Sequence, residues 1–135
     1  MADRYWLGTT DAVYSTAANW SATSGGAPSG VKPGAGDDVY FDGNGDNPCT
    51  LDEATAAINS LSVHGAAAPG GAYNSKLDFG DSAFGVNVTG GGDMTFDGTA
   101  EVDCGDSTIT CAGHFDNADQ GTWTEATSTV VMDAG

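Results

Sequence analysis

Short runs in which apolar and polar residues alternate fill the second half of the sequence. Phe84, Val86 and Val88 show the pattern, which predicts strands with one buried face. Pairs such as Gly80-Asp81 and Asp97-Gly98 separate the runs and predict turns. Because almost no helical period intervenes, the pattern predicts an all-β chain. The predicted strands are Lys76–Phe79, Phe84–Thr89, Met94–Phe96, Glu101–Cys104, Thr108–Cys111, Thr122–Glu125 and Thr129–Met132.

The N-terminal part of the chain lacks this alternation. Residues 1 to about 36 are rich in Thr, Ser, Ala and Gly, which predicts irregular backbone. Aromatic side chains bury a large area per residue, so the aromatics in this segment predict a folded cap and not a linker. Val39–Phe41 predicts the first clear strand, and Ile58–Val63 predicts another. The aromatic residues of the cap are Tyr5, Trp6, Tyr14 and Trp20.

The composition favours one architecture among all-β folds. Leu, Ile, Val and Phe make up only 20 of the 135 residues, and the net charge is −16, so a thick core is excluded. A β-solenoid tolerates this, because each short strand buries one or two side chains and stacked backbone ladders supply order. We therefore expect a short-stranded β-solenoid with an aromatic N-terminal cap, with a small β-sandwich or jelly-roll-like domain as the alternative. Residues 1–57 would form the cap, first strand and acidic turn, and residues 58–135 the Gly/Thr/Asp-rich short-strand region of the same structural unit.

The charge balance argues against several partners. Only Arg4, Lys32 and Lys76 are basic, against 19 acidic residues. Three scattered cations cannot form a footprint on nucleic acid or on an anionic membrane, so we expect neither partner. No apolar stretch is long enough to span a bilayer and the N-terminus has no secretory pattern, which predicts synthesis in a cytoplasm. An acidic surface suits divalent cations or a basic partner.

The N-terminal segment also carries a series of spaced motifs. They are Arg4-Tyr5-Trp6-Leu7-Gly8, Ala18-Asn19-Trp20-Ser21, Ser24-Gly25-Gly26 and Gly36-Asp37-Asp38-Val39-Tyr40-Phe41-Asp42, with Pro33 before the last. Together they resemble the opening module of structural proteins encoded by tailed bacteriophages. In that family the module leads into Gly/Thr-rich rungs of a parallel β-solenoid, to which residues 77–133 are similar. The resemblance implies a virion-associated structural role and no defined chemistry.

From this resemblance we expect a non-enzymatic structural virion protein, above all a subunit that decorates or stabilises the capsid. Its partner would be the capsid or another virion protein, and it would form a homo-oligomer, a trimer by resemblance. It would be assembled into the virion in the host cytoplasm. Trp6, Trp20, Tyr40 and Phe41 are expected to pack the N-terminal module. The alternatives are a carbohydrate-binding adhesin or receptor-binding tip that uses exposed aromatics such as Trp123, and a glycan hydrolase or lyase.

One acidic turn has the spacing of a calcium loop. Counted from Asp42, oxygen-bearing side chains fall at the first, third and fifth positions (Asp42, Asn44 and Asp46), and Glu53 falls at the twelfth. This is the spacing of an EF-hand-type loop, with Asn47 in place of the usual glycine. The sequence therefore predicts Ca²⁺ bound by Asp42, Asn44, Asp46 and Glu53. A plain acidic turn between strands is the alternative.

Other chemistry-bearing residues give weaker patterns. The three cysteines lack Cys-x-x-Cys spacing, which argues against zinc and favours buried free thiols, with a Cys104–Cys111 pair left open. His64 and His114 stand in no nucleophile motif. Aspartates at strand ends would form stacked cation sites if the rungs align, and a solvated acidic face is the alternative. These aspartates are Asp78, Asp81, Asp93, Asp97, Asp103 and Asp106.

Overall fold

The computed structural model describes residues 1–68, 70–80, 85–119 and 121–133. In these residues the chain forms short strands and two single-turn 3-10 helices, Ala17–Asn19 and Gly43–Gly45. None of the described segments is a helix long and apolar enough to cross a membrane. The strands are β1 (Asp3–Trp6), β2 (Trp20–Ser21), β3 (Asp38–Phe41), β4 (Cys49–Thr50), β5 (Ser60–Val63), β6 (Lys76–Asp78), β7 (Gly85–Val88), β8 (Met94–Asp97), β9 (Glu101–Asp103), β10 (Thr108–Cys111), β11 (Phe115–Asp119), β12 (Thr122–Thr124) and β13 (Thr129–Met132).

The strands wind into a β-solenoid of about four turns, which confirms the predicted fold class. The first sheet has the order β11-β8-β5-β3-β1-β2, and all its pairs are parallel except β1 with β2. The second sheet has the order β12-β9-β6-β4 and the third β13-β10-β7, and both are parallel. Successive strands pass from one sheet to the next, so that β8, β9 and β10 form one three-sided turn.

Each turn places its apolar side chains over those of the turn before it. In the first sheet, Val39, Leu61 and Met94 pair in register and all three are buried. Because side chains alternate between the two faces of a strand, every second residue enters such a stack. The core is therefore built from thin stacked layers, which explains how few large apolar residues suffice. The corresponding buried stacks of the other two sheets are Cys49, Leu77 and Val102, and Val86 and Ile109.

Aromatic side chains fill the N-terminal turns. Trp6 and Trp20 are fully buried and pack edge to face, with ring centroids 5.1 Å apart. The ring centroid of Phe41 lies 5.8 Å from that of Trp20, and the ring centroid of Tyr14 lies 5.2 Å from that of Trp20. The Trp6 indole N–H donates to the Asn47 carbonyl at 2.9 Å, and that of Trp20 donates to the Tyr14 carbonyl at 2.8 Å. The predicted aromatic cap, with Trp6, Trp20 and Phe41 packed inside it, is confirmed.

Tyr40 packs the N-terminal module from its outer face and not within this aromatic core. It lies between Val39 and Phe41, which both point inward, so strand alternation directs its ring to the outer face. There it stacks on Tyr5 of the neighbouring strand, with centroids 4.7 Å apart and an interplanar angle of 18°. The pair is half-buried and stabilises the outer side of the first sheet.

Several strands lie where the sequence predicted none. β1 and β2 fall in the segment predicted to be irregular, and β4 and β11 were also missed. β1 has no apolar alternation of its own, and it forms because β3 pairs with it on one side and β2 on the other. Phe84, the first residue of the predicted strand Phe84–Thr89, lies outside the described residues, and β7 covers Gly85–Val88. The boundary between residues 57 and 58 stays a prediction, although β3 and β5 pair in register across it.

Candidate functional site

The described surface has no pocket that would enclose a substrate. No group of three or more His, Cys, Asp or Glu side chains among the described residues is placed to hold a metal ion. His64 has a buried Nδ1 atom with no hydrogen-bond partner, and the exposed His114 lies 3.5 Å from Asp93. The geometry therefore gives the hydrolase alternative no cleft in this part of the chain.

The first two predicted calcium ligands lie together in one hydrogen-bonded turn. The buried Asp42 carboxylate accepts a hydrogen bond from the Asn44 backbone N–H at 3.0 Å. Its other oxygen accepts from the Ser24 hydroxyl at 2.6 Å, and the Asn44 side-chain amide donates to the same hydroxyl at 2.9 Å. Asp42 thereby ties the 3-10 turn to the glycine-rich loop of the cap.

The other two predicted calcium ligands are directed to separate partners. Asp46 accepts hydrogen bonds from the backbone N–H groups of Asn74 and Ser75, both at 2.8 Å. Glu53 forms an ion pair with Lys32. The structure does not bring the four side chains to one point, and a bound cation would replace these contacts. Calcium binding stays a prediction, which calorimetric titration of the whole chain with CaCl₂ tests.

Two predicted stacked aspartates do align, and a lysine of the chain lies between them. Asp78 and Asp103 are register partners on the outer face of the second sheet. The Lys76 ammonium lies 3.1 Å from Asp78 and 2.9 Å from Asp103. The hydrogen bond from Lys76 lowers the pKa of Asp103, and the two carboxylates raise the pKa of Lys76. The position that we predicted for a cation is therefore taken by the chain's own amine.

All three basic side chains of the sequence are engaged in ion pairs. Besides the Lys76 and Lys32 pairs, the Arg4 Nε–H donates to Asp37 at 3.0 Å. With a net charge of −16 and its cations occupied in this way, the surface is dominated by carboxylates. Such a surface attracts basic partners and repels phosphate backbones.

Asp37 connects the start of the chain to the entry of β3. Its carboxylate accepts hydrogen bonds from the Ala2 backbone N–H at 3.0 Å, the Gly34 N–H at 3.1 Å and Arg4. Burial acts to raise the pKa of Asp37, but the hydrogen bonds from Arg4, Gly34 and Ala2 outweigh it and hold the pKa below its ordinary value. The folded state therefore favours the charged carboxylate.

We expect Asp37→Asn to lower the free energy of unfolding at neutral pH by about 2 kcal/mol, because it removes charge-assisted hydrogen bonds from a mostly buried Arg4. The folded-state pKa of Asp37 is the lower one, so this stabilisation is present above the unfolded-state pKa of about 4 and is lost as the pH falls through the folded-state pKa. Urea unfolding of both proteins from neutral to acidic pH measures the difference. The exposed Asp133→Asn variant is the control. A difference between Asp37→Asn and wild type that stays constant down to the lowest pH would contradict the assignment.

The three cysteines are buried free thiols, as the sequence favoured. Burial raises the pKa of the Cys104 thiol to about 12 and that of Cys49 well above its ordinary value. Both are therefore protonated at neutral pH and serve as small apolar core residues.

The two ends of the solenoid differ in how their strands are covered. At the N-terminal end, the antiparallel β2 covers the outer side of β1. Val13 covers β4 through a bridge to Thr50, and Ile58 covers β7 through a bridge to Val88. At the other end, β11, β12 and β13 each have one neighbour among the described strands. We call these three strands the end rung.

The end rung exposes apolar side chains that continue the buried stacks. Val130 is in register with the buried Ile109, and Met132 with the buried Cys111, yet they are 42% and 54% exposed. Phe115 and Trp123 are half-buried on the same layer, with ring centroids 5.6 Å apart. The end rung therefore exposes apolar side chains whose register partners are buried one turn earlier.

The aromatic side chains that were predicted to bind sugars pack mostly against other side chains of the protein. Trp6 and Trp20 are buried in the cap. Trp123 packs at nearly a right angle on Phe96, with centroids 5.1 Å apart. The buried Trp6 and Trp20 present no platform to a sugar, whereas Trp123 is half-buried.

Comparison of the chain with protein-family models, curated proteins and solved structures gave no match. Support for a function comes from the sequence motifs and from the contacts that their residues make.

Proposed function

We propose that the chain is a structural protein of a tailed-bacteriophage particle and that it decorates the capsid without catalysing a reaction. The observation that carries this proposal is the hydrogen bonding of the phage-like motifs, whose polar side chains hold the N-terminal turns together.

The motifs that resemble the phage module support the proposal, because each has a structural role here. Asn19 is buried, and its side chain binds the backbone of the preceding loop, accepting from the Thr10 N–H at 2.9 Å and donating to the Val13 carbonyl at 3.0 Å. Asp38 accepts hydrogen bonds from the Asn59 side chain and the Ser60 hydroxyl, both at 2.6 Å. These residues build a scaffold, which is the role that the resemblance implies.

The surface favours a protein partner over nucleic acid or an anionic membrane. Its basic residues are held in ion pairs, and its charge is strongly negative. We propose the capsid or another virion protein as the partner, the virion as the location, and a homo-oligomer, by resemblance a trimer, as the assembled form. Light scattering of the purified chain tests the trimer separately from the attachment.

The test is to locate the chain in purified particles of the phage that encodes it. We expect mass spectrometry to find it in particles that have been washed in moderate salt, and electron microscopy to show its density on the outer capsid surface. A chain found only in the soluble fraction of infected cells would contradict the proposal. Density at a tail tip would instead favour the receptor-binding alternative.

A further inference from the structure

We propose that Asn44 is a deamidation site that the folded cap keeps inert, and that its conversion after the cap opens prevents the cap from closing again. Asn44 and Gly45 form the only Asn-Gly pair in the sequence. A following glycine makes an asparagine reactive, because no side chain shields the backbone nitrogen that attacks it. The inference concerns the cap and does not depend on the virion role.

The reaction is an intramolecular displacement. The Gly45 backbone nitrogen attacks the side-chain carbonyl carbon of Asn44, so that a new C–N bond forms and the bond to the side-chain nitrogen breaks. That nitrogen leaves as ammonia and takes the proton that Gly45 loses. Water then opens the five-membered succinimide ring at either carbonyl, which gives aspartate or isoaspartate. No oxidant or reductant takes part.

The fold holds the attacking nitrogen away from the side chain. Asn44 is exposed, so water reaches it, but it lies in the 3-10 turn Gly43–Gly45. A helical ψ angle rotates the next backbone nitrogen away from the side-chain carbonyl carbon that it must attack. The Gly45 N–H also donates to the Asp42 carbonyl at 3.1 Å. Gly45 is buried, and a Cβ atom there would lie 1.8 Å from the Trp6 carbonyl oxygen, so the backbone has no room to turn towards the side chain.

The Asn44 side chain and the turn are fastened as well. The Asn44 amide donates to the Ser24 hydroxyl at 2.9 Å, and that hydroxyl donates to Asp42 at 2.6 Å. On the other side, the Gly43 N–H donates to the Gly71 carbonyl at 3.0 Å. These contacts must break before the ring can close. The rate of deamidation in the native chain is therefore the intrinsic rate multiplied by the fraction of molecules in which the turn is open.

Neither product fits the closed turn. Isoaspartate carries the main chain through the former side chain, which lengthens the backbone between residue 44 and Gly45 where the contact with Trp6 leaves no space. Aspartate puts a second carboxylate beside the Ser24 hydroxyl, which has one proton and already donates it to Asp42. The two carboxylates repel each other at this position. A chain that has reacted while open therefore cannot restore the original contacts of the cap.

The first test follows deamidation at Asn44 in the full chain by mass spectrometry of peptic digests, during incubation in mildly alkaline buffer. We expect the native chain to react at least tenfold more slowly than the chain unfolded in guanidinium chloride. A peptide of residues 40–48 gives the intrinsic rate. A native chain that reacts as fast as this peptide, or an unfolded chain that keeps Asn44 intact, would overturn the proposal.

Ser24→Ala tests the contact that holds the Asn44 amide, and Ser29→Ala is the matched control from the same part of the cap. The Ser29 hydroxyl donates to the carbonyls of Trp20 and Val31, at 3.0 Å and 3.2 Å. We expect Ser24→Ala to speed deamidation of the native chain at least fivefold and Ser29→Ala to change it less than twofold. Neither should change the rate in guanidinium chloride. Equal acceleration by the two variants would overturn the role of the Ser24 contact.

Chains deamidated in guanidinium chloride and returned to buffer test whether the cap closes again. We expect the isoaspartate form, separated by chromatography, to unfold at a lower urea concentration than unmodified chains taken through the same cycle. Asn44→Asp should reproduce the effect of the aspartate product. Asn117→Asp makes the same charge change at an exposed position and should leave the urea midpoint unchanged. Equal midpoints for the isoaspartate and unmodified forms would overturn the claim that modification keeps the cap open.

Discussion

Trp20→Ala is expected to lower the free energy of unfolding by about 4 kcal/mol, the largest loss for any single side chain of the cap. The Trp20 side chain is fully buried, and its ring contacts those of Trp6, Tyr14 and Phe41. Alanine removes all three contacts, leaves a cavity where the aliphatic core is thin, and deprives the Tyr14 carbonyl of the indole N–H at 2.8 Å. Urea unfolding followed by far-ultraviolet circular dichroism measures the loss without relying on tryptophan fluorescence.

Trp123→Ala is the matched control, since it deletes the same side chain from a half-buried position. It should cost no more than half as much as Trp20→Ala, because the Trp123 ring has fewer neighbours and is partly solvated already. Equal losses for the two variants would mean that the cap is no more important to stability than the end rung. Such a result would contradict the description of the N-terminal turns as the main aromatic core.

The strands that the sequence predicted correctly are those with their own alternation. The run Thr108–Cys111 became β10 with unchanged bounds, because Ile109 and Cys111 alternate with polar threonines. β11 was missed because its sequence is mostly polar, and it forms through the pairing of Phe115 with Met94 and of Asp116 with Thr95. In a solenoid, a strand forms partly because the neighbouring turn pairs with its backbone. That pairing cannot be predicted from the residues of the strand alone.

The exposure of the end rung was missed for a related reason. Val130, Val131 and Met132 were predicted as a strand, and their exposure depends on which turn comes last in the stack. The run of three apolar residues indicates only that Val131 faces outward, since Val130 and Met132 continue the inward stacks. The calcium prediction used spacing along the chain, which does not reveal that Asp46 binds the segment around Asn74 or that Glu53 pairs with Lys32.

Gly45→Ala is expected to lower the free energy of unfolding by about 3 kcal/mol, at the upper end of the usual cost of overpacking. A Cβ atom on Gly45 would lie 1.8 Å from the Trp6 carbonyl oxygen and 2.7 Å from the Trp6 carbonyl carbon. Both are backbone atoms, so no side-chain rotation relieves the clash. The 3-10 turn would have to move away from β1, although the indole of Trp6 is bonded to Asn47 just beyond that turn.

Gly34→Ala is the control for this prediction, because the nearest atom to its added Cβ is an Asp37 carboxylate oxygen at an ordinary 3.8 Å. Its backbone is not in the left-handed region, so alanine there should change the free energy of unfolding by less than about 1 kcal/mol, in the direction set by the lower entropy of the unfolded chain. Comparing the two by urea unfolding removes the general effect of replacing glycine and leaves the steric one. If both variants unfold at the same urea concentration, the turn does not approach β1 as closely as described.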